Sequence, residues 1–298
     1  MFKMTFSILC LVPMIGFCAQ TTPPPKPSPP QPEPMIVEHI AGGLYFVKGG
    51  VGANTAFYVG EKDVTVFDAK MTAEAAGEML AEIAKVTSKP VADLIITHSD
   101  LDHVNGLTGF PKTIKPIVSE TTKKEMEEAF QDEKMAAYRE YQFAPPFKGR
   151  TIFHTAGGES FTLIQAGPAH TGGDTVIVFP KEKAAFIGDL AFIGRDPLIH
   201  RAKGGTAAGY IASLKMMIEM DGVETYLSGH ADALTKTDLQ ALLSTLEEKT
   251  AKVKALIAEG KTLEDVKAAL LPPASPGAPP SRWPSFVEVV YLDLTEKK

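Results

Sequence analysis

Two rhythms of hydrophobic and polar positions alternate along the chain. Short apolar or alternating runs read as strands: LYFV from Leu44, NTAFYV from Asn54, DVTVF from Asp63, DLIIT from Asp93, TIFH from Thr151, FTLIQ from Phe161, TVIVF from Thr175, AAFI from Ala184 and TYL from Thr225. Elsewhere the period lengthens to that of a helix. After Thr72, an N-cap by residue type, Ala76, Met79, Leu80, Ile83 and Val86 form one apolar face. A polar helix is predicted from Glu120 to Tyr141, ended by Pro145 and Pro146, and another from about Ala207 to Met220. Leu239, Leu242, Leu243, Leu246, Val253, Leu256 and Ile257 then keep a 3.6-residue rhythm. Thr262 with Asp265, and Ser285 with Glu288, have the spacing of reciprocal caps, so two further helical segments are expected. Two successive runs of strands, each followed by helix, predict an α/β protein in which two sheets lie between helices.

The ends depart from this pattern. Lys3, an apolar run from Met4 to Phe17, and then Cys18, Ala19 and Gln20 have the layout of a secretory signal cut after Cys18 or after Ala19. A lipid anchor at Cys18 and a retained N-terminal helix are the alternatives. Eight prolines between Thr21 and Pro34 make a semi-rigid tether. The expected organisation is therefore a signal at 1–19, a proline-rich linker at 20–34, a folded domain at 35–271, and a second proline-rich break with a closing helix at 272–298. Such a chain is exported, to the periplasm or cell envelope, with the membrane touched only through the signal or the anchor.

Composition narrows the function. The chain has 298 residues, 44% of them apolar, and a net charge of -6, so no basic field exists to hold nucleic acid, and a small-molecule substrate is expected. Cys10 and Cys18 are the only cysteines, which excludes disulfides, thiolate metal sites and a cysteine nucleophile from the folded body.

Candidate chemistry concentrates in loops that follow strands. THSDLDHVNG places His98, Asp100, Asp102 and His103 within six residues, enough metal-capable side chains for two cations. His98 and Asp100 alternate along an extended segment, whereas Asp102 and His103 stand where the chain turns toward a helix. GPAHTGGD adds His170, FIGDL adds Asp189 and LSGHAD adds His230, each after an apolar run. Alone, His170 or His230 would most simply be a hydrogen-bonded structural histidine. His39, His154 and His200 lack such company and read as surface or strand-edge residues.

These stations resemble the metallo-β-lactamase superfamily, with Asp100 where the second histidine of the family's H-x-H-x-D-H loop usually stands. The resemblance spans roughly Ile40 to Asp232 and implies a four-layer αββα sandwich. It also implies two divalent metal ions, zinc by default with manganese or iron accepted. His98, Asp100 and His170 would hold one ion and Asp102, His103 and His230 the other, with Asp189 bridging, Asp102 the candidate catalytic residue and Asp68 orienting the metal loop. A bridging hydroxide would then attack an ester, thioester, lactone or β-lactam carbonyl. The alternatives are a β-lactamase proper, a phosphodiesterase, or a redox enzyme like the sulfur dioxygenases. The cysteine-bearing β-lactamases place Cys where Asp189 stands, which separates this chain from them. Two dications, three carboxylates and one hydroxide sum to zero, whereas histidine at 100 would leave one positive charge. On that count, replacing Asp100 by His should lower the kinetic pKa of the bound water.

Overall fold

The computed structural model describes residues 33–272 and 283–296. The readings of a signal peptide, of the lipid anchor, of most of the linker and of the second proline-rich break fall outside these residues. No helix among the described residues is long and apolar enough to cross a membrane.

Five strands form the first sheet: β1 (Ile36–Ala41), β2 (Leu44–Lys48), β3 (Thr55–Val59), β4 (Val64–Phe67) and β5 (Val91–Ile95), in that spatial order. Neighbours are antiparallel except β4 and β5, which run parallel because α1 (Ala73–Val86) carries the chain back between them. Thr72 caps α1 through its side chain, as its residue type predicts. After the short α2 (Leu101–Val104) and α3 (Glu120–Ala129), the second sheet is built from β6 (Arg150–His154), β7 (Ser160–Gln165), β8 (Thr175–Phe179) and β9 (Ala184–Phe186). It is completed by β10 (Thr225–Leu227) and β11 (Leu234–Thr235), in the order β11-β10-β9-β8-β7-β6. Here β9 and β10 are the parallel pair, and α4 (Ala207–Glu219) connects them. Three helices follow, α5 (Lys236–Ala258), α6 (Leu263–Leu270) and α7 (Phe286–Thr295), each with a reciprocal cap at its start.

Three apolar clusters make this a four-layer α/β/β/α sandwich. Phe46, Phe67 and Ile95 of the first sheet meet Phe161, Phe179 and Phe186 of the second. Val66 and Leu94 face α1 and the loops around α3, while Val176, Ala185 and Tyr226 face α4 and the terminal helices. Phe286, Val287 and Val290 of α7 are buried in that last cluster.

Besides the short β11, which the pattern did not announce, two elements differ from the pattern reading. The helix expected from Glu120 to Tyr141 breaks after Ala129 and resumes as a 3-10 segment over Glu133–Glu140. Phe130 turns inward to stack on Tyr138, Asp132 caps the new segment, and the Arg139 guanidinium takes the freed carbonyls of Phe130 and Gln131. β1 lacks an alternating signature because none of its residues is fully buried, Ile36 is exposed, and the register shifts between His39 and Ala41.

The sandwich places its chemistry at one edge. Asp68 follows β4, His98 to His103 follow β5, and His170, Asp189 and His230 follow β7, β9 and β10. Each loop leaves the carboxyl end of its strand.

Candidate metal centre

Asp68 anchors the centre. It is fully buried with φ of 64°, a left-handed backbone uncommon for a residue with a Cβ and costing on the order of 1 kcal/mol. Its Oδ1 accepts from the Thr97 amide, and its Oδ2 accepts from the Thr97 hydroxyl and from His103 Nδ1, each at 2.7 Å. The Thr97 hydroxyl, whose hydrogen points to Asp68, accepts from His98 Nδ1 at 3.0 Å. His170 Nδ1 donates to the Leu198 carbonyl at 2.7 Å. All three imidazoles thus spend Nδ1 on the protein and turn Nε2 inward.

What they face is Asp189, a carboxylate only 4% exposed. His103 Nε2 lies 3.0 Å from its Oδ1; His230, His170 and His98 Nε2 lie 3.2, 3.6 and 3.9 Å from its Oδ2. Asp100 Oδ2 is 3.1 Å from His170 Nε2, and Asp102 Oδ2 is 3.1 Å from His230 Nε2. Three triads, His98–Asp100–His170, Asp102–His103–His230 and His98–His103–Asp189, keep their ligand atoms within 4.8 Å of one another. The structure therefore brings together all seven residues singled out in the loops.

The donor set fits metal ions. His98 Nε2, His103 Nε2 and Asp189 Oδ1 are buried without a hydrogen-bond partner, although His103 and Asp189 are close enough for one. A neutral imidazole whose proton sits on Nδ1 offers a lone pair at Nε2, and a carboxylate offers only lone pairs, so unless an extra proton is taken up these atoms meet acceptor to acceptor. A cation between them removes the conflict.

The acid–base balance of the bare residues agrees. Burial, reinforced by His103 and His170, pushes His98 well below the ordinary imidazole range and keeps it neutral. Burial also opposes charge on His170 and His230, but hydrogen bonds to Asp100 and Asp102 outweigh it and raise both to about 9. His103 is raised well above the ordinary range because Asp189 and Asp68 overcome its burial. Asp189 is buried too, yet His103 and His230 hold it well below the carboxylate range. Without metal the cluster binds protons where cations would sit.

Neighbouring residues complete the site. Gly229 leaves no room for a side chain: a Cβ there would lie 2.5 Å from Asp189 Oδ1 and 2.8 Å from His103 Cε1. Phe192 stacks on His230, with the Arg195 guanidinium over its ring at 4.5 Å. A cleft of about 430 Å³ opens beside His230, lined in part by Gly50, Gly52, Asn54 and Asp232. One reading is corrected: His200 is no isolated surface histidine, since its Nδ1 lies 3.1 Å from Asp100 Oδ1. Lys203, which carried no expectation, donates to the same oxygen at 2.7 Å. The only prior signal was Asp100 itself, an extra negative charge in want of a cation. His39 bonds the Gly42 carbonyl and His154 bonds Ser160, both away from the centre.

Comparison with known proteins agrees with this geometry. Residues 49–230 match the sequence model of the metallo-beta-lactamase superfamily. A 2,4-dinitroanisole O-demethylase subunit alpha from Nocardioides sp. (strain JS1661) is 24% identical over 213 residues, which cover 70% of this chain and 61% of the relative. The chain thus spans about three fifths of that curated relative. Among solved structures, a metallo-beta-lactamase from Pontibacter korlensis aligns with a TM-score of 0.59 at 18% identity, over 72% of this chain and 99% of its own. The stereoselective inverting sec-alkylsulfatase Pisa1 from Pseudomonas sp. aligns with a TM-score of 0.70 at 16% identity, over 87% of this chain and 50% of its own. Both share the fold. With the family's sequence model matched over more than half its length and two sheets presenting histidines and aspartates at one edge, this chain belongs to the metallo-β-lactamase superfamily.

Proposed function

We propose that the chain is a dinuclear metal-dependent hydrolase of an ester-like bond: a carboxylic ester, thioester, lactone or β-lactam. The observation that carries this reading is the acceptor-to-acceptor convergence of His98 Nε2, His103 Nε2 and Asp189 Oδ1 between two ligand triads. Imidazole and carboxylate donors suit zinc first, and the three carboxylates also suit manganese or iron. Bound there, such ions supply Lewis acidity and an acidified water at neutral pH.

The residues around that chemistry have separable tasks. Asp189 lies between the triads and touches all four imidazoles, so it fixes their spacing. Asp102 binds His230 through Oδ2, while its Oδ1 has no protein hydrogen bond among the described residues and is free to orient a water and take its proton. At the mouth, Met71, Leu101 and Ile193 are 42%, 46% and 49% exposed beside the metal loops, and Arg195 has no carboxylate partner among the described residues. This rim suits a substrate with an apolar body and an anionic group. An N-terminal signal would put the reaction in the cell envelope, which a mature N-terminus at Gln20 would check.

The test is turnover by metal-loaded protein on nitrocefin, lactones, thioesters and phosphodiesters. An alkyl sulfate and an aryl methyl ether join the panel because the structural neighbour and the relative carry those names. Hydrolysis of a carbonyl substrate, abolished by chelator, restored by zinc and lost in Asp189→Asn, is expected. Exclusive turnover of the sulfate or the ether, or oxygen uptake with a thiol, would replace the proposal.

A further inference from the structure

Both oxygens of Asp100 are held. Oδ2 faces His170 Nε2 at 3.1 Å, within the triad that includes His98. Oδ1 points away from the centre and accepts from Lys203 Nζ at 2.7 Å and from His200 Nδ1 at 3.1 Å. Lys203 Nζ also donates to the Ser99 carbonyl at 3.0 Å, so the ammonium closes a ring with the backbone beside its partner. Glu125 is the next carboxylate, held by the Ser99 hydroxyl.

The clamp is built into the fold. His200 N–H donates to the His170 carbonyl and Gly172 N–H donates to the Lys203 carbonyl, both at 2.7 Å, which stitches the clamp loop to the loop that presents His170. The intervening Arg201 binds Asp293 and Glu296, and the Ala207 amide binds Asp293, so α7 fixes the loop from behind. Trp283 packs edge-on against the His200 ring with centroids 4.6 Å apart.

We propose that Asp100 and Lys203 act as one unit: Asp100 binds metal through Oδ2, while Lys203, with His200, holds Oδ1 and returns the positive charge that the aspartate removes. The pair sums to zero, as a neutral histidine would, so the centre keeps the one positive charge that the loop sequence alone subtracts. Lys203 and His200 are positioning residues, and Asp100→His alone leaves an ammonium facing a dication with no carboxylate between them. The lower water pKa expected from that substitution on loop charges alone then requires removal of Lys203 as well.

The inference rests on the two-metal reading, and its test is metal affinity rather than turnover. Zinc binding is measured by competition with a chromophoric chelator in wild type, Asp100→His, Lys203→Met and the double variant. Asp100→His is expected to weaken one of two binding steps by about tenfold with Lys203 present and by less than about threefold in the Lys203→Met background. The step assigned to Asp102, His103 and His230 should stay constant and reports an intact fold. If Asp100→His does not fold, Asp100→Asn runs the same cycle with the same expected sign. Equal weakening in both backgrounds overturns the inference alone; no zinc bound by wild type overturns the two-metal reading itself.

Discussion

The two corners of the centre use the same donors under different restraint. At the corner of His98, Asp100 and His170, both histidines are 1% exposed and both Asp100 oxygens are held by protein. At the corner of Asp102, His103 and His230, Asp102 and His230 have side chains 30% and 25% exposed, and a cleft opens beside His230. Only His103 is rooted there, through Asp68. On the proposed two-metal reading, the difference separates holding from reacting: the closed corner would retain its ion, and the open corner would leave room for substrate and water.

The largest way to break the comparison is at the root. Asp68→Ala leaves the Thr97 amide and His103 Nδ1 buried without their acceptor, and should lower stability by about 3–5 kcal/mol. Urea unfolding of the metal-free protein measures this, and zinc should restore only part of the loss. Gly229→Ala comes next, because its Cβ displaces Asp189 and His103 together. A cost of about 1–3 kcal/mol is expected, with the metal content falling although the fold persists by circular dichroism.

A milder probe separates the corners without mutation. Dialysis against increasing chelator should remove the ion of the open corner first, leaving a one-metal species that elemental analysis detects. A last effect, confined to alkaline pH, concerns Lys70, fully buried, whose ammonium donates to the Gly49 and Ala53 carbonyls under the cleft loop. Burial lowers its pKa to about 8 from the ordinary 10.5. A depressed lysine binds fewer protons when folded than when unfolded, so its contribution is complete above 10.5 and is lost as pH falls through 8. Stability should rise between those values by at most about 1.4 kcal/mol per pH unit, and Lys70→Met should flatten that rise.

The loops of the centre were legible because each is a short motif at the end of an apolar strand, and the order of four such motifs carries more information than any one. Capping boxes at Thr262 and Ser285 were equally plain, since their partners lie three residues away. What stayed hidden is non-local. Lys203 and His200 matter through a carboxylate on the far side of the chain, and neither has a motif of its own. The break after Ala129 depends on Phe130 finding Tyr138, and a run of charged residues before it conceals the turn. β1 is half exposed, so its period carries little signal.

The most direct measurement is the number of metal ions per chain after loading with zinc and dialysis, in wild type, His170→Ala and His230→Ala. Two ions in wild type and one in each variant are predicted, with the ion of His230→Ala more slowly exchanged than that of His170→Ala. A wild-type chain that retains one ion or none would contradict the two-corner account.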